Sequence, residues 1–215
     1  MNLWDKKISE FMDLVDSSSP TPGGGSSAAL ISVLGLSLVR MVGHLTVNKK
    51  KFQKLDEKIQ TQFTDTLQSL LTLKTKIIPL IDEDTLSFNK IMAAYSLKKD
   101  SPEEIVIRKQ AIKEATLEAI KVPFEVANLS FEAFMYFPFI LLHGNKQALS
   151  DLGVSVLALA SGIEGALYNV LINLIGFDDE KVISFYKEQT KDLLEKTHQF
   201  KDSFLKDILD SLEYS

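Results

Sequence analysis

Pro20-Thr21-Pro22-Gly23-Gly24-Gly25-Ser26-Ser27-Ala28-Ala29-Leu30 opens the segment that decides the fold. Two prolines and three consecutive glycines cannot continue a regular element. From Ser26 to about Val47 the chain then reads as a helix of small and apolar residues, with Ser26 or Ser27 placed to cap it. Its Ala, Gly and Ser content allows close approach by neighbouring helices. Leu152–Phe177 has the same character and carries only Glu164 as a charge. Neither stretch reaches ~18 strongly apolar residues without Gly, Ser, Asn or charge, so both are read as buried helices rather than membrane spans.

Outward from these two helices the period stays helical. Leu3, Ile8, Phe11, Met12, Leu14 and Val15 predict a first short amphipathic helix. Phe52–Leu97 follows the 3.6-residue period, with Pro79 expected to kink or interrupt it. Ser101, Pro102 and Glu104 form an N-terminal capping signature for a helix to about Leu129, bent near Pro123 and continued to about Pro138. His143-Gly144-Asn145 reads as a turn. A second buried helix is expected over roughly Lys146–Ile175, and a charged amphipathic helix follows Asp178-Asp179-Glu180 to about Leu212. No segment alternates with period two as a strand would. The expectation is an all-α bundle of about seven helical segments, one domain over residues 1–215. Its long helices are apolar on more than one side, which argues for a homodimer.

Composition narrows the function. The 215 residues include 29 acidic and 24 basic ones, a net charge of −5, which disfavours a general nucleic-acid binder. There is no cysteine, so disulfides, thiolate metal sites and a cysteine nucleophile are excluded. His44, His143 and His198 lack metal-ligand spacing, so no metal is expected. No signal peptide is read at the N-terminus, and a cytoplasmic location is the expectation.

Three constellations could carry chemistry. Gly23, Gly24, Gly25 and Ser26 open a helix whose free N–H groups suit an anion or an acceptor-rich heterocycle; the alternative is a tight buried turn. Asp84, Phe88 and Asn89 share a helix with acid and aromatic one turn apart, and Arg108, one of two arginines, suits a carboxylate or an internal ion pair. Asn145 precedes Ser150-Asp151 at the start of an apolar helix on which Asn169 and Asn173 share a face. A buried Asp151 must be paired, capping or functional.

The ordered set Pro20–Ser26, Asp84–Ala93, Arg108, Val122-Pro123, Gly144-Asn145, Ser150-Asp151 and Asn169–Leu174 resembles the cyclodeaminase family. That family comprises the cyclodeaminase half of formiminotransferase-cyclodeaminase and free-standing relatives that include methenyltetrahydrofolate cyclohydrolases. His44 departs from the family pattern. The resemblance implies an all-helical homodimer acting on a reduced folate in one-carbon metabolism and histidine degradation, with no cofactor beyond the tetrahydrofolate substrate and no nucleic-acid or membrane partner. A separate formiminotransferase is a possible partner. The implied reaction converts 5-formiminotetrahydrofolate to 5,10-methenyltetrahydrofolate and ammonia. The alternatives are hydrolysis of the methenyl bridge on the same scaffold, or a non-catalytic helical dimer. Asp151 is the first candidate acid/base and Asp84 the second. Gly23–Ser26 would cradle the substrate. Phe88 and Asn89 belong to the same substrate-binding set. Arg108 and Lys50 would meet its glutamate carboxylates, and Asn145, Asn169 and Asn173 would orient it.

Overall fold

A computed structural model describes residues 2–213, so Met1, Tyr214 and Ser215 lie outside the described residues. Among the described residues every regular element is helical: α1 (Ile8–Val15), α2 (Gly24–Val47), α3 (Glu57–Tyr95), α4 (Pro102–Glu132), α5 (Phe137–His143), α6 (Leu149–Asn173) and α7 (Glu180–Glu213), with short 3₁₀ turns between some of them.

The bundle is organised by α2 and α6, which run antiparallel at very short range. A Cβ added at Gly162 would lie 2.1 Å from Ser32 Oγ and 3.0 Å from the Ala28 carbonyl oxygen. One at Gly35 would lie 2.8 Å from Leu159 Cγ. Ser155 Oγ donates to the Gly35 carbonyl at 2.7 Å, fixing the register. The third side of α2 packs on α3, where Gly43 makes room for Leu67. α4 lies behind α6. α7 closes the bundle with Phe200 and Phe204, which join Phe134 and Phe137 in one aromatic cluster. The continuous apolar core draws on residues from Phe11 to Ile208.

Several boundaries differ from the sequence expectation, each for a physical reason. α2 begins at Gly24 rather than Ser26, and neither Ser26 nor Ser27 caps it. The cap comes from another helix, as described below. Pro79 does not interrupt α3, which continues for 39 residues. Pro79 and Thr75 are both exposed, so the carbonyl that loses its donor faces water. α4 passes through Pro123 to Glu132, beyond Leu129. The segment after it turns as a 3₁₀ helix, and Pro138 opens α5 instead of ending a helix, a position where its missing N–H is not needed. Ser101 caps α4 as expected, its side chain accepting from the Glu104 amide at 3.2 Å.

By length and composition, three helical stretches could cross a membrane: Gly24–Val47, Pro102–His143 and Lys146–Asn173. In each, between 39% and 50% of the most apolar window is buried inside this fold.

The α2–α6 contact gives a direct stability test. Gly162→Ala forces a methyl against backbone atoms of α2 and is expected to cost about 1–3 kcal/mol. Gly153, also on α6, has nothing nearer than 3.7 Å to a new Cβ. Gly153→Ala is expected to be neutral or to stabilise by up to ~1 kcal/mol through helix propensity. Urea denaturation of both variants checks the contrast, and equal effects would remove close packing as the cause.

Candidate active site

The site begins with the missing cap of α2. The first turn of a helix has amides without intrahelical partners. Here the Asp84 carboxylate of α3 fills that role: Oδ2 accepts from the Ser26 amide at 2.8 Å and from Ser26 Oγ at 2.9 Å. Ser26 is fully buried, and its Oγ also lies 3.2 Å from Thr85 Oγ1. Gly25 is the residue that lets the carboxylate in, since a Cβ there would stand 2.0 Å from Asp84 Oδ1. Gly24 has a different neighbour. A Cβ on it would stand 3.1 Å from the Asn169 amide nitrogen, which itself donates to the Gly165 carbonyl at 2.8 Å. Gly24 remains exposed. The glycine turn is therefore held between a carboxylate and a carboxamide, with its outer edge open.

Burial pushes the Asp84 carboxyl above the ordinary carboxylate range, and the two Ser26 hydrogen bonds pull it down only in part. Two residues back, Asp82 Oδ1 accepts from the Leu3 amide at 2.6 Å and ties the N-terminal arm to the same turn of α3.

One turn beyond Asn169, a cleft of about 790 Å³ opens between α3, α4 and the end of α6. This volume suits a small organic ligand. Asn173 lines it and donates to the Ala119 carbonyl at 2.8 Å. Apolar walls come from Ile91, Ile112, Ile172 and Phe177. Arg108 is in the cleft too, donating from Nε and Nη2 to the Tyr95 carbonyl and lying 5.4 Å over the Tyr95 ring. Lys109 and Lys113 are paired with Asp178 and Asp179. Lys99 lines the cleft with no carboxylate partner among the described residues. Asp84 is not among the lining residues; it sits beside the cleft, about two turns of α3 before Ile91.

The structure thus brings Gly23–Ser26, Asp84 and Asn169 into contact and sets Asn173 one turn beyond Asn169, whereas Arg108 lies at the far side of the cleft beside Tyr95. Phe88 follows Asp84 by one turn and is partly buried, while Asn89 is exposed. The remaining sequence candidates sit at the other end of the α2–α6 pair. The Asn145 amide donates to Thr46 Oγ1 at 2.8 Å, and the Asn145 side chain accepts from the Gln147 amide. Asp151 lies in the first turn of α6, partly exposed. It precedes Asn169 by 18 helical residues, a rise of ~27 Å. Within one chain, Asp151 and Asp84 cannot serve the same reacting carbon. Lys50 is exposed at this far end. Lys49, Lys51, His143 and Lys146 line a second cavity there, of about 310 Å³, with no carboxylate in its wall.

Sequence reasoning missed the roles of Thr85, Asp82 and Lys99. The run Asp82-Glu83-Asp84 held a signal, three consecutive acids in an amphipathic helix, but which of them faces the glycine turn depends on tertiary packing. Among the described residues no three His, Asp or Glu side chains converge as a metal would require.

Comparison with known proteins decides the family. The formiminotransferase-cyclodeaminase family profile matches residues 7–192. The chain belongs to that family. It is 33% identical to a methenyltetrahydrofolate cyclohydrolase of Methylorubrum extorquens over 88% of both chains. It is 31% identical to the rat formimidoyltransferase-cyclodeaminase over 99% of its own length, but spans only 38% of that longer protein. Its fold matches a formiminotetrahydrofolate cyclodeaminase of Thermotoga maritima with a TM-score of 0.76, at 24% identity, covering 97% of this chain and 96% of that one. Members of this folate one-carbon family are enzymes acting on the cyclic or formimino groups of folates.

The raised Asp84 pKa has a stability consequence. The folded state holds the Asp84 proton more tightly than the unfolded state, so stability is lost as pH rises through the folded pKa. Asp84→Asn keeps an acceptor for the Ser26 amide but never ionises. It is expected to melt above wild type near about pH 7, with the gap closing as acid protonates the wild-type carboxyl. Thermal melts across this range check it. A variant that melts lower throughout would show that the Ser26 hydrogen bonds outweigh desolvation.

Proposed function

We propose that the protein is a formiminotetrahydrofolate cyclodeaminase with Asp84 as its acid/base. The observation that carries this reading is a carboxylate of raised pKa wedged under an open glycine turn beside Asn169, at the head of a cleft large enough for a folate. In the protonated formimino substrate, N10 attacks the formimino carbon and forms a tetrahedral adduct. Asp84 takes the N10 proton and passes it to the adduct's amino nitrogen, which leaves as ammonia. The 5,10-methenyl cation remains, and Asp84 returns to its ionised form. A carboxyl with a pKa moved toward neutrality suits both halves of this transfer. Nucleophile and electrophile belong to one molecule, so holding it in a ring-closing pose supplies much of the rate.

The glycine turn and Asn169 would hold the pterin end. Arg108 spends Nε and Nη2 on the Tyr95 carbonyl and has no carboxylate partner among the described residues, and with Lys99 it offers positive charge to the glutamate carboxylates at the far side of the cleft. Such an enzyme consumes the product of a formimino transfer, as in histidine degradation, and a separate formiminotransferase would supply it.

A second reading, methenyltetrahydrofolate cyclohydrolase, is favoured by the Methylorubrum relative, which matches this chain over nearly its whole length. Water would then attack the same methenyl carbon. Absorbance of the methenyl chromophore separates the two, rising during cyclodeamination and falling during hydrolysis. In whichever assay wild type is active, Asp84→Asn is expected to lower turnover by about 10²–10⁴-fold while changing folate affinity much less. Undiminished turnover would remove Asp84 from the mechanism.

A further inference from the structure

The two oxygens of the Asp84 carboxylate have unequal surroundings. Oδ2 accepts both hydrogen bonds that reach the group, from the Ser26 amide at 2.8 Å and from Ser26 Oγ at 2.9 Å. Oδ1 accepts none among the described residues. It lies over Gly25, where a Cβ would stand 2.0 Å from it. Ser26 is fully buried, so bulk water does not compete for its hydroxyl. Burial and Ser26, rather than any charged neighbour, set the Asp84 proton affinity. On α3 itself Asp82 is spent on the Leu3 amide and Glu83 is exposed. On the N-terminal arm Asp5 and Asp16 are exposed and Lys6 is half-buried. The first ionisable residue of α2 is Arg40. Glu118 of α4 pairs with Lys90, and Glu164 of α6 with His198.

The direction of the hydrogen bonds follows from what each group can donate. A hydroxyl has one hydrogen to give, and an ionised carboxylate only accepts. Ser26 Oγ therefore spends its hydrogen on Asp84 Oδ2. The other neighbour of Ser26 Oγ is Thr85 Oγ1, at 3.2 Å. With the Ser26 hydrogen already spent, Thr85 is the donor of that bond. A one-way chain results, from the Thr85 hydroxyl to Ser26 Oγ and from the Ser26 hydroxyl to Asp84 Oδ2, and each bond in such a chain polarises the next. Thr85 is unusual on its helix. Thr64, Thr72 and Thr75 donate to the carbonyl four residues back, whereas half-buried Thr85 turns across to α2.

We infer that Thr85 is a positioning residue for Asp84: it holds the Ser26 hydroxyl as a donor to Oδ2, and this leaves Oδ1 as the oxygen that carries the transferred proton. The inference rests on the proposed function and deepens it. Oδ1 takes the N10 proton, its O–H bond forming as the N10–H bond breaks, and then gives that proton to the amino nitrogen of the adduct. Oδ2 accepts from Ser26 throughout. A proton on Oδ2 instead would face the Ser26 amide, a donor that cannot turn away or accept. Gly25 keeps the space beside Oδ1 clear for the exchange.

The test compares wild type with Thr85→Val, which keeps the shape and loses the hydroxyl, and with Thr85→Ser, which keeps the hydroxyl. Thr85→Ala replaces the Val variant if that one does not fold. The Asp84 carboxyl is titrated without substrate by carbon NMR of protein labelled at its aspartates, with Asp84→Asn assigning the signal. A Ser26 hydroxyl that has lost its own donor gives a weaker hydrogen bond to the carboxylate. The Val or Ala variant should therefore hold the Asp84 proton more tightly, its midpoint raised by about 0.3 pH unit or more, while Thr85→Ser titrates with wild type. In whichever folate assay wild type is active, the acidic limb of kcat/KM against pH should move up by the same amount, because Asp84 must be ionised to take the first proton. An unmoved titration, or a Ser variant that titrates with Val, overturns the inference. A titration that moves while the rate limb stays put overturns Asp84 as the acid/base, the reading on which the inference rests. The two failures are thus distinguishable, and the titration decides for Thr85 even if wild type turns over neither folate.

Discussion

Close contact between α2 and α6 is the constraint on which the rest depends. Gly162 lies against Ala28 and Ser32, and Gly35 against Ser155 and Leu159. At this range no larger side chain fits, so the two most apolar helices lock into one register. The antiparallel register sends the start of α2 to the end of α6, and this is why Gly24 meets Asn169. α3 and α4 then cover one side of the pair, and α7 closes over its aromatic cluster.

Within that frame Asp84 has two roles that pull against each other. It supplies the acceptor that the first turn of α2 lacks, a stabilising contact at the positive end of a helix. It is also a carboxylate withdrawn from water, a cost reflected in its raised pKa. A neutral serine or asparagine could cap the helix without that cost. Such tension between local stability and a charged group is expected where chemistry is done.

Much of this was legible in the sequence. The small-residue composition of residues 26–47 and 152–177 predicts two close-packed buried helices; the proline-glycine run predicts a break, which the structure places before Gly24, with Gly24 and Gly25 already inside α2. What local sequence could not show was distance. Asp84 and Asp151 carry equally suggestive neighbours, and only the register of α2 against α3 and α6 puts Asp84 under the turn and Asp151 at the opposite end. The start of α2 was misjudged for the same reason. Ser26 reads as a local cap, but its amide is capped by a side chain 58 residues away. Pro79 was expected to kink or interrupt α3, and the helix runs on with the carbonyl that loses its donor, that of Thr75, on an exposed turn.

The Leu3–Asp82 hydrogen bond gives the N-terminal arm a bearing on chemistry that its surface position conceals. The arm is moored half a turn from Asp84, on the same helix, whereas α7 ends far along the chain on an exposed, charged stretch. A fusion partner joined ahead of Leu3 would sit beside that mooring, two residues along α3 from the acid. One joined after α7 would hang from a helix that packs mainly on α6. For preparing material whose turnover reflects the native site, the choice of which end carries the affinity handle is therefore a matter of mechanism.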